Sequence, residues 1–180
     1  MNLKQYVRRI PEFKGVVFWD ITPLLKDASA FNCCVDELVG HYVAKMGNEN
    51  DKIRLVVSTE SRGFIFGSAV AHALGVGFVP IRKEGKLPYK TINCTYSKEY
   101  ETDTLEMHED AIVKGQNVLI IDDLLATGGT TKACIDLVER LGGNVVGLGF
   151  VLELEYLNGR KLFEPKHDVF SLVKYEHDSE

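Results

Sequence analysis

Long apolar runs are missing from these 180 residues. None reaches the ~18 residues that a membrane-spanning helix needs. The opening Met1-Asn2-Leu3-Lys4-Gln5-Tyr6 lacks the apolar stretch of a secretory signal. Together these predict a cytoplasmic protein with no membrane partner. Cysteine is scarce. Cys33, Cys34, Cys94 and Cys134 form no Cys-x-x-Cys pair and have no zinc-like histidine spacing, so neither a disulfide framework nor a finger is indicated and reduced thiols are expected. The five histidines are scattered and make no metal or triad set. Basic excess is lacking as well: a formal charge of −5 argues against nucleic acid as the main partner, because a basic face supplies most of that affinity. An anionic ligand would therefore need a local cluster of cations. Repeats, low-complexity tracts and linkers are absent too. The length suits one domain, residues 1–180, burying roughly 70% of its unfolded surface, and the 45% hydrophobic content suits a globular core.

Leu3, Tyr6, Val7 and Ile10 have the spacing of a short helix stopped by Pro11, and residues 13–25 read as an apolar loop punctuated by Gly and Pro. Ser29 is placed to cap a helix over about 30–46, with Phe31, Val35, Leu38, Val39, Tyr42, Val43 and Met46 on one face. Strand 53–57, helix 64–74 and strand 76–81 make a βαβ unit. Residues 83–110 are polar, carry Pro88 and alternate weakly, which suits a long hairpin or flap. Strand 117–121, helix 129–141, a strand over 145–152, a short helix over 154–163 and a last strand over 169–173 complete an α/β domain. Its sheet should be mainly parallel and twisted, with helices on both faces.

Residues 118–131, Val-Leu-Ile-Ile-Asp-Asp-Leu-Leu-Ala-Thr-Gly-Gly-Thr-Thr, carry the densest information. Val118 to Ile121 is a strand buried on both faces. Asp122 and Asp123 fall at its carboxyl end, where open α/β sheets bind ligands. Ala126, Thr127, Gly128, Gly129 and Thr130 then lead into a helix whose free N–H groups and positive dipole end suit a phosphate. Either half alone is an ordinary strand end or turn; the combination in this order predicts a sugar-phosphate site. Two other nucleotide motifs fail. Gly85-Lys86 is followed by Leu87 and has Pro80 where a Walker loop needs glycine, and Gly75-Val76-Gly77 lacks the third glycine of a dinucleotide fingerprint.

Two further groups of residues stand out. Glu60-Ser61-Arg62-Gly63 follows the first strand of the βαβ unit and opens its helix, so Arg62 is either available to a diphosphate or a solvated arginine near a helix cap. Arg82, Lys83, Lys86 and Lys90 place four cations in nine residues of an acidic chain, with only Glu84 opposing among them. Such a run is either a solvated face or a binding site for a highly charged anion.

Asp-Asp-Leu-Leu-Ala-Thr-Gly-Gly-Thr resembles the phosphoribosyl pyrophosphate motif of the type I phosphoribosyltransferases, in the form found in those acting on adenine. The resemblance extends from about residue 16 to Leu152-Glu153-Leu154. It implies a hood over about 1–28 with part of 153–163, and a flexible flap over about 83–110. The implied substrates are adenine and 5-phosphoribosyl 1-pyrophosphate, the products AMP and pyrophosphate, and the cofactor Mg2+, held through substrate oxygens and water with no direct side-chain ligand.

The resemblance also implies roles for individual residues. Loop 126–130 would hold the 5′-phosphate, and Asp122 and Asp123 the ribose hydroxyls. Glu60, Ser61 and Arg62 would line the pyrophosphate pocket, with a cis Glu60-Ser61 peptide. Arg82, Lys83 and Lys86 would lie at a homodimer interface, reaching toward the neighbouring site. Glu99 would handle the purine proton, and Tyr100 would exclude water. Phe18-Trp19-Asp20-Ile21-Thr22-Pro23 matches the base-covering hood, in which the main chain of Val17 and Trp19 would select the base. Trp19 stands where the family usually has arginine, free to stack or simply to pack. A transferase for another purine and a non-catalytic regulator that only senses the metabolite are the alternatives.

Overall fold

The computed structural model describes residues 1–97 and 102–178. A two-stranded hairpin, β1 (Arg8–Phe13) and β2 (Val16–Asp20), leads into α1 (Thr22–Lys26) and α2 (Ala28–Val43). Next come β3 (Leu55–Thr59), α3 (Arg62–Leu74), β4 (Gly77–Lys83), β5 (Thr91–Ser97) and β6 (Thr102–His108). The chain closes with β7 (Asn117–Leu125), α4 (Gly129–Arg140), β8 (Asn144–Leu154) and β9 (Val169–Tyr175). The seven-stranded sheet has the order β5-β6-β4-β3-β7-β8-β9. It is parallel from β4 through β9 and antiparallel where β6 joins β4 and β5.

Period-two alternation along β7 sends Leu119 and Ile121 into one core, with Leu38, Tyr42, Phe66 and Val70 of α2 and α3. The same alternation sends Val118 and Ile120 into a second core, with Cys134, Leu137 and Val138 of α4. Side chains apolar on both faces are what a central parallel strand requires. The chain leaves β3 through α3 toward one edge and leaves β7 through α4 toward the other, so the two strands flank a topological switch point. Open sheets part there and leave a crevice at the strands' carboxyl ends.

Several boundaries differ from the sequence reading. The opening helix is a single 3-10 turn, Leu3–Tyr6, and Pro11 lies inside β1. The hairpin turns at Lys14 and Gly15, both with positive φ (54° and 84°), and its register shifts between Ile10 and Phe13. An outer strand with a bulge tolerates a proline, and the positive-φ pair suits a two-residue hairpin turn. Asp27, not Ser29, caps α2: its carboxylate accepts from Ala30 N at 2.9 Å. The segment between β8 and β9 forms two short 3-10 turns, Glu155–Leu157 and Gly159–Leu162. There the Arg160 guanidinium donates to Glu153 (2.8 and 2.5 Å) and to Val169 O (2.8 Å), tying the segment to both strands.

Candidate active site

The crevice is a cleft of about 400 Å3 at the carboxyl ends of β3 and β7. β7 runs four residues past the expected Ile121 end, to Leu125, along β8. Its pairing with β3 stops at Ile120, so from Asp122 onward one side of the strand faces the cleft instead of a ladder. Ala126, Thr127, Gly128, Gly129 and Thr130 all line it. Gly128 precedes α4 with φ 88°, a left-handed conformation that costs glycine nothing. No side chain caps α4, so its first N–H groups are free to serve an anion. Tyr96 of β5 reaches across to the same loop, its hydroxyl 3.1 Å from Thr130 Oγ1.

The two aspartates are buried side by side. Thr59 Oγ1 donates to Asp122 Oδ2 at 2.6 Å, and Asp123 N donates to Asp122 Oδ1 at 2.9 Å. Room for this carboxylate exists because residue 63 is glycine: a Cβ there would collide with Asp122 Oδ1. Burial, reinforced by the charge of Asp123, pushes the Asp122 carboxyl well above the ordinary range. Burial also raises Asp123, opposed by the nearby Arg62 guanidinium. Arg62 Nε lies 2.9 Å from Asp123 Oδ2, an ion pair off the hydrogen-bonding direction.

Arg62 therefore faces the acid pair and strand β2. Its guanidinium stands 5.0 Å from the centre of the Phe18 ring, and NH1 donates to Trp19 O at 3.4 Å. The Glu60-Ser61 peptide is cis, as the resemblance implies. Glu60, Ser61, Arg62 and Lys83 line the cleft; Arg82 and Lys86 do not, being held on the Glu60 carboxylate at 3.0 and 3.1 Å. The basic run is thus opposed by an acid 22 residues away from Arg82 in sequence, as well as by Glu84. Lys83 Nζ pairs with Asp103 Oδ2 of the neighbouring strand β6 at 3.3 Å, on the same wall of the cleft.

Neither Val17 nor Trp19 lines the cleft; Phe18 does. In a strand, alternate residues face opposite ways, so 17 and 19 pack inward together when 18 points out. Trp19 is 3% exposed and stacks on Tyr175 of β9, with ring centres 3.8 Å apart. Between the two options left open by the sequence, stacking on a ligand or packing, the side chain packs. Phe18, Thr59, Tyr96 and Asp103 are cleft residues that the sequence reading did not single out. Only Phe18 carried a local signal, as the aromatic next to Trp19. Glu99 and Tyr100 lie outside the described residues.

Among the described residues no three His, Cys, Asp or Glu side chains gather to hold a metal. The Asp122 and Asp123 carboxylates give the cleft hard oxygen donors, which fits a divalent cation held chiefly by a ligand's own oxygens. No helix among those residues is long and apolar enough to cross a membrane.

A strand ending in paired carboxylates, a glycine loop opening a helix and a cis turn facing them across one cleft define a phosphoribosyltransferase. The phosphoribosyl transferase domain family matches residues 33–180. The adenine phosphoribosyltransferase of Solibacter usitatus is 52% identical over 97% of this chain and 98% of its own. The crystal structure of adenine phosphoribosyltransferase from Thermoanaerobacter pseudethanolicus superposes with a TM-score of 0.86 at 48% identity, covering 96% of this chain and 98% of that one. The Saccharomyces cerevisiae enzyme, complexed with adenine and an imino-altritol bisphosphate, has a TM-score of 0.87 at 41% identity, covering 94% and 96%. The chain belongs to the adenine phosphoribosyltransferase family.

Proposed function

We infer that the protein converts adenine and 5-phosphoribosyl 1-pyrophosphate into AMP and pyrophosphate, the pentosyl transfer of purine salvage. One observation carries this reading: loop 126–130 and the buried Asp122–Asp123 pair line the same cleft as Glu60, Ser61 and Lys83. That spacing suits a phosphate at one end, a ribose in the middle and a diphosphate opposite. The loop N–H groups hold the 5′-phosphate. Asp122 and Asp123 accept from the ribose hydroxyls, and the ionised member of the pair favours positive charge developing on the ring. Phe18 walls the base side, with the main chain of Val17 and Trp19 behind it. The bond from C1 to the diphosphate breaks as the purine nitrogen attacks; the diphosphate leaves with the bonding electrons, and the nitrogen gives up its proton. Glu99 takes that proton, and Tyr100 helps exclude water, which would otherwise hydrolyse the activated sugar.

Lys83, Ser61 and Arg62 from within the cleft, with Arg82 and Lys86 beside Glu60, stabilise the charge growing on the leaving group. Mg2+ supplies further neutralisation of the diphosphate when bound, through substrate oxygens and water. The active form is a homodimer in the cytoplasm. Pyrophosphate release measured with adenine, hypoxanthine, guanine and xanthine, with and without magnesium, tests the reaction. Adenine should be preferred and magnesium required; a 6-oxopurine preference, or no release with any purine, would overturn the assignment. Glu99→Gln should lower kcat with KM little changed, and an unchanged kcat would remove Glu99 from proton transfer. Sedimentation at micromolar concentration reads the dimer.

A further inference from the structure

Four donors converge on the carboxylate of Glu60, and they divide between its two oxygens. Oε1 accepts the backbone N–H of Lys83 at 2.6 Å. Oε2 takes the rest: Arg82 Nε at 3.3 Å, Arg82 NH2 at 3.0 Å and Lys86 Nζ at 3.1 Å. The Glu60 side chain is only 7% exposed, whereas Arg82 and Lys86 are 35% and 48% exposed. One oxygen is thus pinned to the main chain at the end of β4. The other sits where a guanidinium and an ammonium meet on a residue that lines the cleft. A forked guanidinium edge together with an ammonium on one oxygen is a donor set that serves a phosphate oxygen as well as a carboxylate.

We propose that Glu60 is a built-in stand-in for a phosphate oxygen: it keeps Arg82 and Lys86 paired until the diphosphate group of the ligand takes them over. The proposal rests on the reading that the basic run receives the diphosphate, and it adds how that affinity is set. Oε1 stays on Lys83 N during the exchange, so the turn keeps its shape while Oε2 gives up its cations. The ion pairs are exchanged, not created, which lowers the net gain on binding and favours release of pyrophosphate after transfer. In this role Glu60 is a positioning residue and touches no reacting atom.

Calorimetric titration of the full chain with inorganic pyrophosphate and magnesium tests this. Glu60→Gln, which keeps an acceptor for Lys83 N and removes the competing charge, should bind pyrophosphate roughly fivefold more tightly or better. The gain should shrink as salt is raised. In an Arg82→Met, Lys86→Met background the same change should have less than a twofold effect. Unchanged or weaker binding by Glu60→Gln overturns the proposal, as does an equal gain in that background, which would mean simple repulsion between Glu60 and the ligand. If Arg82→Met, Lys86→Met binds pyrophosphate like the wild type, the underlying assignment of the basic run fails instead. Glu60→Asp, with the charge on a shorter arm, should show intermediate affinity and gives a second reading if Glu60→Gln folds poorly; wild-type affinity there also counts against the exchange.

Discussion

The two walls of the cleft are made in different ways. On one side, ten consecutive residues from Asp122 to Thr131 supply carboxylates, loop and helix start, and their geometry comes from a strand, a left-handed glycine and an uncapped helix. On the other side, Phe18, Glu60, Lys83 and Asp103 come from four separate stretches, and the charges there are already paired with one another. The first wall depends on backbone and room, so it should fail by steric change. The second depends on charge balance, so it should be tuned in small steps.

Four experiments sharpen this contrast. The largest effect is expected at Gly159, where an added Cβ would collide with Ala126 O behind the phosphate loop. Gly159→Ala should raise KM for phosphoribosyl pyrophosphate more than thirtyfold, beyond ~2 kcal/mol of binding. It should also cost about 1–3 kcal/mol of stability by overpacking, read by urea unfolding; a wild-type KM would show that the loop tolerates displacement. Next, Asp123→Asn should lower kcat/KM more than tenfold, over ~1.4 kcal/mol of transition-state stabilisation, and wild-type kinetics would take Asp123 out of the mechanism. On the charged wall, Lys83→Met should lower kcat/KM for phosphoribosyl pyrophosphate only about fivefold, with kcat falling as well as KM rising. A loss as large as that of Gly159→Ala would erase the distinction between the walls.

The smallest effect concerns pH. Asp122 has a folded pKa of about 8, raised by burial and by Asp123. Its unfolded value is the ordinary one, so between these two limits the folded state binds the extra proton. Stability from this group is therefore complete below about pH 4 and declines as pH rises toward 8. Asp122→Asn should flatten that slope in the ligand-free protein, and thermal melts from pH 5 to 8.5 measure it. A wild-type slope in the variant would mean that the proton resides elsewhere.

Legibility in the sequence followed the same division. Strand 118–121, the aspartates and the glycine loop could be read because their signals are contiguous: periodicity of two, then carboxylates, then glycine before a 3.6-residue pattern. The hairpin at the start reads in sequence as helix and loop because Leu3, Tyr6 and Ile10 match helical spacing, while the Lys14–Gly15 turn that decides the matter is a weak local signal. Asp103 and Thr59 could not be found from local pattern, since each matters only through a partner brought near by the sheet. Glu60 stands out in sequence through its turn, but its hold on Arg82 and Lys86 comes from the pairing of β3 with β4. Trp19 is the converse case: a residue conspicuous in sequence that turned out to serve the core.

That core contact reaches further than packing. Trp19 lies between Tyr175, on which it stacks, and Arg62, which donates to its carbonyl and pairs with Asp123. Arg9 of the hairpin also donates to Asp178 O, at 2.5 Å. The hairpin is therefore tied to β9 through Tyr175 and to the chain after it through Asp178, so a change at Tyr175 acts on the strand that carries Phe18 to the cleft. An affinity handle meant to leave substrate binding untouched belongs elsewhere on this molecule.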